Sequence, residues 1–198
     1  VANHLNSVFF INNNTGYVCG TSGTILKTTN AGDNWFQLPS GTTNELTDIS
    51  CRNDSVLFIC GHNVLLRSEN SGANWLNVFP GIYLSSVQCA GDVIYCGGAN
   101  GVYKSTDGGE IWTNTMSGFT ESIWDIFFVN RDTGYAMGSN ATQRRTTNGG
   151  SDWNGGLYWG PGIYGFSACR FFESGYGFVC YSFNSGWPNY YSSYGMYK

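Results

Sequence analysis

One eight-residue phrase is written four times in this chain: TTNAGDNW ending at Trp35, SENSGANW at Trp75, STDGGEIW at Trp112 and TTNGGSDW at Trp153. The tryptophans stand 40, 37 and 41 residues apart, and a period of that size means structural units that stack on their neighbours. Other landmarks keep the same register. Each phrase follows a short run carrying one basic residue (TILKTT, VLLRSE, GVYKST, TQRRTT). Ahead of that lies an apolar run that usually meets a glycine (GYVCG, LFICG, VIYCGG, GYAMG), and ahead of that another (SVFFIN, DISCRN, SVQCAG, DIFFVN). The residues from each tryptophan onward, such as NWFQLP and NWLNVF, supply a fourth. The spacing predicts four short antiparallel strands in about 40 residues. Helical patterning is absent.

Four strands per repeat is the unit of a β-propeller blade, a sheet too small to bury both its faces without neighbours. The expectation is an all-β propeller of four-stranded antiparallel blades over residues 1–198. Blades fall at about 5–40, 41–80, 81–117 and 118–158, with an incomplete fifth at 159–198. In that tail, FSACRFFESGYGFVC matches first and second strands and GMYK matches GVYK. At Lys198 the next phrase is due. The expectation is therefore four blades and part of a fifth from a longer chain; the alternative is a complete small propeller closed by its N-terminal segment.

The phrase resembles the Asp-box, or BNR, repeat, with pattern Ser/Thr-x-Asp-x-Gly-x-x-Trp. Within that group it is most similar to the photosystem II assembly and stability-factor propellers, on repeats such as GYVCGTSGTILKTTNAGDNW. The resemblance implies a propeller that is usually seven-bladed, with each box forming the turn between third and fourth strands. The box residues are Thr28, Asn30, Gly32 and Trp35; Ser68, Asn70, Gly72 and Trp75; Ser105, Asp107, Gly109 and Trp112; Thr146, Asn148, Gly150 and Trp153. Their chemistry agrees. A short hydroxyl or Asx side chain bonds nearby amides, glycine takes positive φ, and the indole packs under the turn. Three copies carry Asn where the pattern carries Asp, and an amide replaces a turn acceptor far more readily than a general base or hard-metal ligand. Asp107 is expected to fold a turn.

Charged residues are only 11% of the chain against about 25% in a typical domain, and aromatics are 17%. The nine basic residues are scattered over a net charge of −4, which argues against a nucleic-acid partner. No apolar run reaches the roughly 20 residues that span a bilayer, so membrane insertion of this segment is not expected. The opening VANHLNSVFF has no signal-peptide pattern. Sequons at Asn13, Asn53 and Asn140 fall near turns and matter only if the source glycosylates asparagine; the repeat style suggests a bacterial one.

Seven cysteines occur without any CxxC and with two histidines, a poor set for zinc. Where a first strand carries a cysteine, the second does too, with 8, 6 and 10 residues between them. The even counts suggest three cross-strand disulfides, Cys51–Cys60, Cys89–Cys96 and Cys169–Cys180, with Cys19 buried and unpaired. Each bond would add about 2–3 kcal/mol and imply an extracytoplasmic location: secreted, periplasmic or cell surface. The alternative is that cysteine stands for Val or Ile in a β core.

In a propeller the second-to-third and fourth-to-first connections share one face. The second-to-third segment lengthens sharply in the fifth repeat, where SFNSGWPNYYSSYG is inserted, and the connection before it reads NGGLYWGPGIYG. Together they offer Tyr158, Trp159, Trp187, Tyr190, Tyr191 and Tyr194, suited to stacking on sugars or docking a protein. The alternative is that these rings cover an exposed blade edge. Catalysis has thinner support. Asp48 in TDIS and Asp125 in WDIF are equivalent and could face a central channel, but they lie two blades apart, whereas glycoside hydrolysis needs carboxyls about 5–9.5 Å apart. No nucleophile–histidine motif or phosphate loop is present. No cofactor is expected. The sequence thus suggests a non-catalytic binding or assembly module of a larger secreted or surface protein, recognising a protein or glycan, and possible assembly into a fibre through exposed blades. A fragment of a sialidase- or xyloglucanase-like Asp-box glycoside hydrolase is the alternative.

Overall fold

The computed structural model describes residues 3–79, 81–155, 163–172, 176–183 and 192–197. The first sheet is β1 (Leu5–Phe10), β2 (Gly16–Gly20), β3 (Ile25–Thr28) and β4 (Phe36–Leu38). The second is β5 (Leu46–Cys51), β6 (Leu57–Gly61), β7 (Val64–Ser68) and β8 (Leu76–Asn77). The third is β9 (Leu84–Ala90), β10 (Val93–Gly98), β11 (Gly101–Ser105) and β12 (Thr113–Asn114). The fourth is β13 (Ile123–Phe128), β14 (Gly134–Gly138), β15 (Gln143–Thr146) and β16 (Asn154–Gly155). The last has three strands, β17 (Ile163–Phe171), β18 (Gly177–Phe183) and β19 (Ser192–Tyr197). In every sheet the strands lie side by side in chain order, as short turns between antiparallel strands dictate.

Two compact units divide the chain, Val1–Cys96 with Ser105–Trp112 and Gly97–Lys104 with Thr113–Lys198. In the first, β1 packs beside β5 and β5 beside β9. Its core gathers Tyr17, Cys19 and Ile25 of one sheet against Leu46 and Ile49 of the next. In the second, β13 and β14 pack against β17, and Tyr135 and Met137 meet Phe166, Cys169 and Phe171. Both faces of an inner sheet are therefore apolar. This is why LFICG, the second strand of a sheet with a neighbour on either side, is buried along its whole length.

The glycine that closes these second strands is fixed by a close approach. A Cβ on Gly20, Gly61 or Gly138 would stand 2.0, 2.1 or 2.0 Å from the carbonyl oxygen of His4, Glu45 or Ser122. Each of those carbonyls immediately precedes a first strand. The next register step contains a bulge, between Leu5 and Ser7, Leu46 and Asp48, and Ile123 and Asp125. The extra residue re-aims the side chain that follows it.

The three expected disulfides are absent, and all seven cysteines are free thiols. Register explains the error. A five-residue turn joins β5 to β6, so Cys51 faces Leu57 while Cys60 faces Asp48. Facing positions across an odd turn are separated by odd counts, so the even count of eight excludes the pair. In the last sheet Cys169 faces Val179 and Cys180 faces Ala168, which puts the two sulfurs on opposite faces. Cys89 and Cys96 are also unbonded. Cys60, Cys96 and Cys169 are buried and occupy core positions, the part played elsewhere by Met137.

Candidate functional site

All four boxes close in the same way. The first residue's hydroxyl accepts the amide of the fifth: Gly32 on Thr28 at 3.0 Å, Gly72 on Ser68 at 2.9 Å, Gly109 on Ser105 at 2.8 Å and Gly150 on Thr146 at 2.9 Å. The same hydroxyl donates to the Asx oxygen of the third residue. That oxygen accepts a further amide, from Asn34, Asn74, Ile111 and Asp152 respectively, at 2.9–3.0 Å. The glycines take φ of +96°, +84°, +95° and +76°, which other residues adopt only with strain. The amide of Ile111 and the hydroxyl of Ser105 hold the Asp107 carboxyl below the usual range. Ser105, Glu110 and Ile111 all donate to one of its oxygens, Oδ1, within the turn.

The basic landmark ahead of each of the first three boxes reaches the box of the following sheet. Lys27 Nζ donates to the Ser71 carbonyl at 3.1 Å and Lys104 Nζ to the Gly149 carbonyl at 2.7 Å. Arg67 donates to Glu110 at 2.5 Å. Tyr17 reinforces the first of these, its hydroxyl meeting Ser71 O at 2.9 Å beneath the Lys27 ammonium. These basic residues therefore tie repeats together.

Asp48 and Asp125 are committed in the same sense. Asp48 accepts from Ser7 Oγ of β1 at 2.7 Å, from its neighbour Ile49 N at 2.9 Å and from Val87 N of β9 at 2.9 Å. It thus clasps three successive first strands. Asp125, 8% exposed, accepts from Cys169 N at 2.8 Å and Arg170 Nη1 at 2.9 Å, both on β17. Carboxylates that saturate amides in this way are poorly placed to shuttle protons. The bulge before each aspartate was the sequence-invisible element that turns it sideways.

Two cavities lie within the first unit. One, of about 340 Å³, is lined by Arg67, Glu69, Asn70, Asn74, Trp75, Leu76 and Glu110. Arg67 pairs there with both Glu69 and Glu110, while Trp75 Nε1 is buried without a hydrogen-bond partner. Two other boxes differ, Trp112 donating to Gly109 O and Trp153 to Thr115 Oγ1. The second is an open groove of about 640 Å³ formed by Ser22 and Gly23 after β2, Gln37 and Leu38 of β4, and residues 39–43 before β5. Its walls are pinned: Gly23 N donates to Asn44 O at 2.9 Å and Ser40 Oγ to Thr42 O at 3.0 Å. These are a second-to-third and a fourth-to-first connection, the pair expected to share one face. Sequence reasoning missed this groove because neither connection is lengthened; the only signal was the polar run PSGTTN beside TSG.

Of the aromatic candidates, Tyr158, Trp159, Trp187, Tyr190 and Tyr191 lie outside the described residues. Tyr194 is placed only by its backbone, opposite Cys180. Among the described residues no three metal-ligating side chains gather, and no helix is long and apolar enough to cross a membrane.

The family model described as Photosynthesis system II assembly factor YCF48 matches residues 1–85, under half of the chain. No curated protein matches the sequence. Among solved structures, YCF48 bound to D1 peptide aligns with a TM-score of 0.72 at 14% identity, over 98% of this chain and 68% of that one. The GH74 xyloglucanase from Xanthomonas campestris aligns at 0.81 and 14%, over 99% and 36%, and the GH74 enzyme of Niastella koreensis at 0.74 and 16%, over 98% and 37%. The chain thus spans about two thirds of the first and little more than a third of the others. At such identities the likeness is one of fold. Repeat, sheet order and structural likeness converge: the chain is built as a BNR-repeat β-propeller.

Proposed function

We propose that this chain is a non-catalytic binding module that holds an extended segment of a protein partner in the groove between Ser22–Gly23 and residues 39–43. The observation that carries the reading is the pinned groove itself, which offers polar side chains and backbone on walls already fixed by hydrogen bonds. Preformed walls lower the ordering cost of binding a flexible chain. The groove falls inside residues 1–85, the part that matches the assembly-factor model, and one structural relative was solved with a peptide bound. Hydrolysis is the second reading, because of the likeness to GH74 enzymes. Against it stands the use of Asp48 and Asp125 as inter-strand clasps. An extracytoplasmic location, once the disulfides are removed, has no support from the thiols and is not needed for this function.

An array of immobilised extended peptides tests the reading. Gln37→Arg with Thr43→Arg, both at exposed positions, fills the groove without touching the core and should abolish capture. Capture unchanged in that variant would remove the groove from the proposal. Release of reducing sugar from xyloglucan, lost on Asp48→Asn or Asp125→Asn, would replace binding by catalysis.

A further inference from the structure

Where the repeats differ at equivalent positions, the difference shows what a seam carries beyond its structural need. In two seams the basic residue reaches a backbone carbonyl of the next box, Lys27 to Ser71 O and Lys104 to Gly149 O. Between the second and third sheets Arg67 pairs instead with two carboxylates, Glu69 and Glu110. No other box carries a glutamate at either position. The second position is Thr29, Thr106 or Thr147 elsewhere, and the sixth is Asp33, Ala73 or Ser151. A single ammonium on a carbonyl ties the other seams, so this pair of acids adds something the tie does not require. The side chains of Glu69 and Glu110 are 67% and 68% exposed, whereas that of Arg67 is 16% exposed.

All three line the cavity of about 340 Å³, with Trp75 and Leu76 as its apolar wall. It lies at the box ends of the strands, away from the groove beside Ser22–Gly23, and its volume falls in the range of small-ligand pockets. Its polar groups select the ligand. Trp75 Nε1 and Arg67 Nε are donors buried without a hydrogen-bond partner, a destabilising state that an acceptor relieves. Glu69 and Glu110 only accept, and they set two negative charges against the one positive charge of Arg67. An ammonium or guanidinium ligand suits the carboxylates but has no lone pair for the two donors. An anion suits the donors but is repelled by the excess negative charge. A hydroxyl donates and accepts through one oxygen, and it is slender enough to enter beside a buried N–H.

We propose that this cavity binds a neutral sugar, one hexopyranose unit of a glycan. Its hydroxyls donate to Glu69 and Glu110 and accept from Trp75 Nε1 and Arg67 Nε, while its carbon face covers the wall of Trp75 and Leu76. A peptide amide also donates and accepts, but its N–H and C=O point in opposite directions from a planar trans unit. It therefore serves one set of partners and turns away from the other. The site shares no residue with the peptide groove and does not rest on it.

NMR of the indole N–H groups tests the proposal, with the chain titrated by the methyl glycosides of glucose, galactose and mannose. The assigned Trp75 indole resonance should shift and saturate with at least one of them. Glu69→Thr with Glu110→Ser gives this seam the side chains of the fourth box, Thr147 and Ser151. Both positions are exposed, so circular dichroism should be unchanged, and binding should weaken by about tenfold or more. Failure of Trp75 to respond to all three glycosides, or equal binding by a folded double variant, overturns the proposal. A saturable response to Nα-acetyl-lysine amide, with none to the glycosides, also overturns it and reassigns the site to a cationic group.

Discussion

Asp107 differs from Asn30, Asn70 and Asn148 by a charge, and the charge settles what this residue adds. All four accept the same hydroxyl and a following amide, so the turn forms with either side chain. Only the carboxylate is held below its usual range by those donors, the Ile111 amide first and the Ser105 hydroxyl second. A depressed folded value stabilises the protein above the unfolded value, about pH 4, and that contribution is lost as pH falls through the folded value. Asp107→Asn should therefore fold normally at neutral pH and lose less stability than wild type between pH 7 and pH 3, read as the fall in thermal midpoint. Equal falls would mean that the carboxylate adds nothing the amide lacks. The box was legible because every partner lies within four residues. Asp48 and Asp125 were recognisable as equivalents, yet their roles were hidden, since Val87 and Cys169 sit 39 and 44 residues away.

Between residue and sheet, the hairpin turn decides what the cysteines can do. Strand order, basic landmark and closing glycine could all be read from repeated letters, because each is a local pattern. Register could not, since one residue more or less in a turn moves every side chain to the other face. The turn after Cys51 has five residues, and so Cys60 faces Asp48. With the thiols unbonded and shielded, burial pushes Cys51 and Cys89 up to about 12, where the reactive thiolate is scarce at neutral pH. Iodoacetamide should modify the native chain slowly at pH 8. After denaturation without reductant, intact mass should rise by seven adducts, one for each free cysteine. A gain of one adduct would restore the three disulfides.

Taken as a whole, a repeat protein's stability is close to a sum of unit terms and nearest-neighbour joints. Asp48 belongs to the joints, since its two oxygens hold β1, β5 and β9 together through Ser7, Ile49 and Val87. Removing it leaves a half-buried amide and a hydroxyl without their acceptor, and hydrogen bonds to a charged group contribute about 1.5–3 kcal/mol each. Asp48→Ala should therefore lower stability by about 2–4 kcal/mol. The loss should be distributed, with faster hydrogen exchange at β1 and β9 as well as at β5. Asp48→Asn retains an oxygen for Val87 N and should lose less. Exchange that quickens in β5 alone would show that the clasp serves its own strand, and the joint would then rest on the apolar contacts of Tyr17, Ile25, Leu46 and Ile49. A distributed loss would instead mean that this aspartate position stabilises the seam between sheets, which is why a chemically reactive residue can recur in a propeller strand without serving a reaction.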